Sequence, residues 1–137
     1  MRVVVENGQA GQGGALAQFV GLFRSLDRAR SFARTDARVA IGMTFDVGNW
    51  QWRDEPPVLA AAALAPYVDY VEYVHGKAVT GRGARRFPVA PAADDPLCRA
   101  VLAWLPADAP RGIEFPLALT RTAAAAPGRV ARRRLTV

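Results

Sequence analysis

Four short apolar runs recur along the chain, and a loop and then a stretch of helical periodicity follow each of the first three. The first run is β-branched, Arg2-Val3-Val4-Val5-Glu6, and opens into a glycine-rich loop from Asn7 to Gly14. Leu16, Phe19, Val20, Phe23, Leu26 and Phe32 then recur at three- and four-residue intervals, with Arg24, Asp27, Arg28 and Arg34 on much of the other face. That spacing predicts an amphipathic helix through about residue 34. The second run, Val39-Ala40-Ile41-Gly42-Met43-Thr44-Phe45, ends at Asp46. A loop from Val47 to Asp54 carries Trp50 and Trp52, and Pro56-Pro57 marks a helix start where a missing N–H is harmless. The alanine-rich stretch to Leu64 reads as that helix, stopping near Pro66.

The third run, Tyr70-Val71-Glu72-Tyr73-Val74, ends at His75 and leads into a long Gly/Arg/Pro loop reaching Ala93. Asp94 or Asp95 suits the cap of a helix running through Val101 and Leu102 to about Leu105. The fourth run is Gly112-Ile113-Glu114-Phe115, and an alanine- and arginine-rich segment broken by Pro127-Gly128 follows it. Strands without polar alternation fit a parallel sheet covered on both faces. Their alternation with helices predicts an α/β domain with crossover connections. This pattern alone leaves an open doubly wound sheet and a barrel equally possible.

Composition narrows the function classes. A chain of 137 residues has room for one domain, and 51% hydrophobic residues suits an ordinary core. The sequence holds no uncharged apolar run long enough to span a bilayer, and its first residues lack a signal-peptide pattern. A cytoplasmic location is therefore expected. Cys98, the single cysteine, excludes an internal disulfide and a cysteine-built metal cluster, and is expected as a small packing residue on a helix. The formal charge of +6 is concentrated in Arg82, Arg85 and Arg86 and in Arg129, Arg132, Arg133 and Arg134. Such patches suit phosphate or nucleic acid. A solvated tail is the favoured explanation for the C-terminal arginines and a nucleic-acid partner is not expected, whereas for the 82–86 cluster an exposed loop and a phosphate site stay about equally open.

The candidate chemistry lies at the strand ends. Glu6, Asp46, His75 and Glu114 each end an apolar run or lie within it near its end, at intervals of 40, 29 and 39 residues. One strand–helix unit of a barrel occupies roughly 30 residues, so four successive strands would bring these groups to one rim, the edge where parallel α/β proteins bind ligands. Each residue alone has an ordinary explanation. Glu6 could cap a loop, Asp46 could start a turn, Glu114 could pair with Arg111 or Arg121, and His75 could be structural. Together, three carboxylates crowded at a buried edge repel one another and raise their pKa values. A divalent cation relieves that repulsion.

Val4-Val5-Glu6-Asn7, Phe45-Asp46-Val47-Gly48-Asn49, Val74-His75-Gly76-Lys77 and Ile113-Glu114-Phe115 together resemble the xylose isomerase-like TIM-barrel superfamily, and its sugar phosphate isomerase/epimerase branch most closely. The resemblance spans residues 2 to about 117, in order. It implies a parallel (β/α)4 half of a TIM barrel, strands five to eight, over residues 1–117, with residues 118–137 as an Ala/Arg-rich helix or tail. It also implies one divalent ion (Mn, Mg, Co or Zn) held by Glu6, Asp46, His75 and Glu114. Glu6 and Glu114 would be the catalytic acid/base pair moving protons next to the carbonyl of a small sugar or polyol. Asn49 stands where many members carry a substrate-contacting histidine; an amide can hydrogen-bond a hydroxyl but cannot take a proton. Arg82 is the candidate for a substrate-binding arginine, with Arg85 and Arg86 as rivals. Of Trp50 and Trp52, one is expected to wall the pocket and the other to pack; Trp50 is assigned to the substrate.

Four units are half of the eight that close a barrel. A truncated fragment, a half-barrel that dimerises, and a half-barrel that joins a second chain are the readings this leaves. A metal-dependent lyase of the same superfamily is the nearest alternative activity. An abasic-site endonuclease would need several histidines, and the chain has one.

Overall fold

The computed structural model describes residues 3–9, 11–32 and 41–114. Val39, Ala40, Phe115, Arg121, the 118–137 segment and its arginines lie outside the described residues. The elements run β1 (Val3–Glu6), α1 (Leu16–Phe32), β2 (Ile41–Asp46), α2 (Val47–Trp52), α3 (Pro57–Leu64), a 3₁₀ segment (Ala65–Tyr70), β3 (Val71–Gly76), β4 (Ala78–Thr80), β5 (Phe87–Val89), α4 (Pro96–Leu102) and β6 (Arg111–Ile113).

The fold is α/β. β1, β2, β3 and β6 form a four-stranded parallel sheet in the order β1-β2-β3-β6. The order follows the chain without reversal. Right-handed crossovers then place the connecting helices on one face of the sheet. One apolar cluster fits that layering. Phe19 and Phe23 of α1, Met43 and Phe45 of β2, Ala60, Ala61 and Leu64 of α3, Val74 of β3 and Val101 of α4 are buried together. Phe23 stacks on Tyr70 with ring centroids 4.5 Å apart, a contact aromatic pairs favour in offset geometry.

Several boundaries differ from the sequence expectation, each for a local reason. Residues 47–52, expected as loop, form the short helix α2 because the Asp46 side chain caps it by accepting from Asn49 N at 2.7 Å. The loop expected after His75 contains a two-stranded antiparallel hairpin, β4 with β5. Pro88 is tolerated there because a two-stranded ribbon leaves outward N–H groups unpaired. β3 starts one residue later than expected and runs on through His75 to Gly76. α4 ends at Leu102, and Asp95 rather than Asp94 caps it through Cys98 N at 2.8 Å.

Cover on both strand faces holds for β2 but not for β1. Val3, Val4 and Val5 are each more than one-third exposed, since among the described residues β1 is an edge strand paired only with β2. Cys98 packs partly buried beside the core, and burial pushes its thiol up to about 11, so it is no nucleophile at neutral pH. Among the described residues no helix is long and apolar enough to cross a membrane.

Candidate metal centre

Strand parity brings the four predicted residues to one place. Glu6 lies opposite Thr44, Asp46 opposite His75, and His75 opposite Gly112. Alternate residues of a strand share a face. Glu6, Asp46 and His75 therefore project from the same face at the C-terminal edge. Glu114 follows two residues after Gly112, and its N–H donates to Gly76 O at 3.2 Å. One potential ligand atom from each of Glu6, Asp46, His75 and Glu114 lies within 4.8 Å of the other three. His75 Nδ1 is at the centre, 3.1 Å from Glu114 Oε2, 3.3 Å from Glu6 Oε1 and 3.7 Å from Asp46 Oδ2.

Asp46 divides its two oxygens between structure and site. Oδ1 caps α2. Oδ2 is fully buried and faces the cluster, with the Lys77 ammonium 2.8 Å away as its cationic neighbour. A buried carboxylate oxygen in that state is costly unless a cation satisfies it. Burial raises the Asp46 pKa to about 6, against the lowering pull of Lys77 and the Asn49 N–H. Burial also pushes Glu114 upward, but Lys77, Asp46 and His75 outweigh it and hold Glu114 below its usual value. The two carboxylates thus titrate apart, with the proton favouring Asp46.

These shifts set a pH dependence. Below about 6 an incoming cation must displace the Asp46 proton. Mn²⁺ affinity is expected to fall by up to about tenfold for each pH unit below that point, which calorimetry at pH 5 and pH 7 measures. In the ion-free protein the two residues act on stability with opposite signs. Asp46, raised in the fold, stabilises most below its usual 3.8 and loses that contribution as pH climbs through about 6. Glu114, lowered in the fold, contributes above its usual 4.5, and that contribution is lost in acid.

Three residues beyond the predicted ligands build the site. Asn7, fully buried, brackets the Asp46 backbone: its Nδ2 donates to Asp46 O at 2.9 Å and its Oδ1 accepts from Asp46 N at 2.8 Å. This side chain continues the β1–β2 ladder one step past Glu6 and fixes the separation of Glu6 and Asp46. Lys77 is 4% exposed, with Nζ 2.8 Å from Asp46 Oδ2, 3.1 Å from Glu114 Oε2 and 3.2 Å from Asn49 Oδ1. Burial alone would lower its pKa, but Asp46 and Glu114 outweigh burial and raise it. Arg53 fastens the glycine-rich loop through Nη1 to Gln9 O at 3.2 Å and Gly13 O at 3.0 Å, and pairs with Glu55 at 3.1 Å. Glu55 in turn accepts from Leu16 N at the start of α1, at 3.2 Å.

Asn7 and Lys77 each follow a predicted ligand by one or two residues. Their sequence signal was that proximity: Lys77 keeps the strand parity of His75, and Asn7 extends β1 past Glu6. Gly48 admits the lysine, since a Cβ there would lie 2.6 Å from Lys77 Cγ.

The predicted substrate residues divide. Asn49 reaches the site, but its amide is engaged by protein: Nδ2 donates to Asn7 O at 2.7 Å and to Glu6 Oε1 at 3.3 Å, and Oδ1 accepts from Lys77. It braces Glu6 and Lys77 rather than presenting a free amide. Trp50 is fully buried against Phe19 and Phe45 and is not a cavity wall, so its expected substrate contact is corrected to a packing role. Arg82 is exposed at the turn of the β4–β5 hairpin and does not line the cavity. Arg86 binds Asp54 and the carbonyls of Gln51 and Trp52, tying the hairpin to α2. Arg111 reaches Ala107 O rather than Glu114.

A cavity of about 350 Å³ opens beside the cluster, lined by Glu6, Asn7, Gly8, Gln9, Gln12, Asn49, Lys77 and Glu114. Its wall is polar, and the two glutamates face it. Arg53→Ala is expected to release the loop 8–14 that forms one side, with a loss of about 1–2 kcal/mol from the forfeited hydrogen bonds. Faster amide exchange in residues 8–14 and a lower urea midpoint would register it.

Comparison of the sequence with protein-family models and with curated proteins finds no match. The site is therefore read from its own geometry.

Proposed function

We propose that residues 1–117 are strands five to eight of a xylose isomerase-like barrel and form a divalent-metal centre for isomerising or epimerising a small sugar or polyol derivative. The observation that carries this reading is the convergence of three carboxylates and an imidazole, with one potential ligand atom each from Glu6, Asp46, His75 and Glu114 within 4.8 Å of the others and Asp46 fully buried. Nitrogen and oxygen donors in this proportion suit Mn²⁺, Mg²⁺, Co²⁺ or Zn²⁺. The unreversed strand order among the described residues supports the barrel half, because a doubly wound sheet reverses its order.

The residues divide the work. Asp46 and His75 lie behind the cavity and act as ligands, oriented by the α2 cap and by Asn7. Glu6 and Glu114 also line the cavity, where a carboxylate can reach a substrate proton. Glu114, held below its usual pKa, stands ionised at neutral pH and fits the base. Glu6 reaches the same cavity from β1, at the other end of the strand order, and is the proposed second member of the acid/base pair. A bound divalent ion would supply Lewis acidity toward a carbonyl oxygen. The cavity's amides and carboxylates, without an aromatic or aliphatic wall, suit a polyhydroxylated ligand rather than an apolar one.

The test has two stages. Purified protein dialysed against Mn²⁺ should retain about one ion per chain by elemental analysis. Loaded protein incubated with ketoses in D₂O should then place deuterium on the carbon next to the carbonyl, detected by NMR. Protein that is folded yet retains no divalent ion would refute the reading at its base.

A further inference from the structure

We propose that Lys77 is a resident counter-cation of this centre, a positioning residue that holds the carboxylates of Asp46 and Glu114 together before a metal binds and weakens the metal's hold afterwards. The inference rests on the metal-centre reading and adds a control on affinity to it.

A lysine ammonium has three protons to donate. Those of Lys77 have three oxygens around them, on Asp46, Glu114 and Asn49, at 2.8, 3.1 and 3.2 Å. Two of those oxygens, Asp46 Oδ2 and Glu114 Oε2, also face His75 Nδ1. Lys77 thus binds the inner side of the ligand set, not its periphery. Its stem packs closely on Gly48, where an added Cβ would lie 2.6 Å from Lys77 Cγ, and the side chain is only 5% exposed, so it is held in place by its surroundings. An incoming ion therefore meets a fixed positive charge beside two of its four ligands.

Two consequences follow from Coulomb's law. Without a divalent ion, Lys77 offsets one of three negative charges and limits their repulsion. With an ion bound, the same ammonium repels it, and the repulsion scales with the ion's charge. Removing the lysine charge should lower the stability of the ion-free protein and tighten metal binding. A lysine serving only to shape the scaffold would have the opposite effect on binding, because its loss would disorder two ligands and weaken the site.

The experiment uses the full chain and compares wild type with Lys77→Met, which keeps the apolar stem, and Lys77→Gln, which keeps a donor. Mn²⁺ binding is followed by paramagnetic resonance and Tb³⁺ binding by luminescence, both at pH 8, with thermal melts of the ion-free proteins. Both variants should bind Mn²⁺ more tightly, on the order of tenfold, the effect of removing one neighbouring unit charge at a partly screened distance. The gain should be larger for Tb³⁺, and the ion-free melts should be lower. A variant that melts cooperatively and binds Mn²⁺ equally or more weakly, while wild type binds it, overturns the role of Lys77 and leaves the metal centre standing. Folded proteins that bind neither ion in any form overturn both.

Discussion

Asp46→Asn is expected to lower Mn²⁺ affinity at least about hundredfold while leaving the chain folded. Losses of 10- to 100-fold accompany removal of groups that only orient a ligand, and Asp46 is a proposed ligand itself. Asparagine is an isosteric replacement and a good N-cap, so the bond to Asn49 N that starts α2 can persist. The backbone of Asp46 keeps both of its bonds to Asn7, since neither involves the side chain. What disappears is the negative charge on the buried oxygen that faces the cluster and pairs with Lys77 at 2.8 Å. Isothermal titration gives the affinity, and far-ultraviolet dichroism checks the fold. Asp69→Asn, at an exposed acidic position outside the cluster, is the matched control and should bind like wild type. Equal binding by Asp46→Asn and wild type would remove Asp46 from the ligand set.

The strands and their acidic or imidazole ends were legible because two independent signals coincide there. β-branched and aromatic runs predict buried strands, and a charged group at such an end stands out against them. Parity within a parallel sheet then settles which of those groups share a face. α2 escaped detection because Val47-Gly48-Asn49-Trp50 contains poor helix formers. It forms because a side chain from the strand caps it and Trp50 anchors it, neither of which a propensity argument contains. The β4–β5 hairpin escaped because its strands are three residues long and one holds Pro88. Lys77 escaped because a lysine in a glycine- and arginine-rich stretch reads as solvated. Only the depth of β3, and the small residue at position 48, make it a buried partner of two carboxylates. The exposure of β1 was hidden for a similar reason: Val3-Val4-Val5 has the composition of an interior strand, and its place at the sheet edge is a fact of topology.

Trp50→Ala is expected to destabilise the fold by about 3–5 kcal/mol, the range for truncating a large buried aromatic. That is a substantial share of the roughly 5–15 kcal/mol that holds a domain together. The indole touches Phe19 edge-on with centroids 6.1 Å apart and Phe45 at 5.7 Å, so it joins α1 to β2 through α2. Alanine would leave a cavity between three elements whose backbones are tied elsewhere and cannot close over it. Trp50→Phe should be far milder, about 1–2 kcal/mol, because it retains most of the ring volume and discards a buried N–H that has no acceptor. Urea denaturation of the two variants separates these values. A tryptophan stacked on a sugar would give the reverse pattern, with ligand affinity falling and stability unchanged. The site enters this argument through α2, whose first turn is capped by Asp46 and whose third and fourth residues are Asn49 and Trp50. Burying the indole presses that turn onto the sheet and keeps Asp46 Oδ2 pointed at its neighbours. Mn²⁺ binding in Trp50→Ala should therefore weaken along with stability, and should survive in Trp50→Phe.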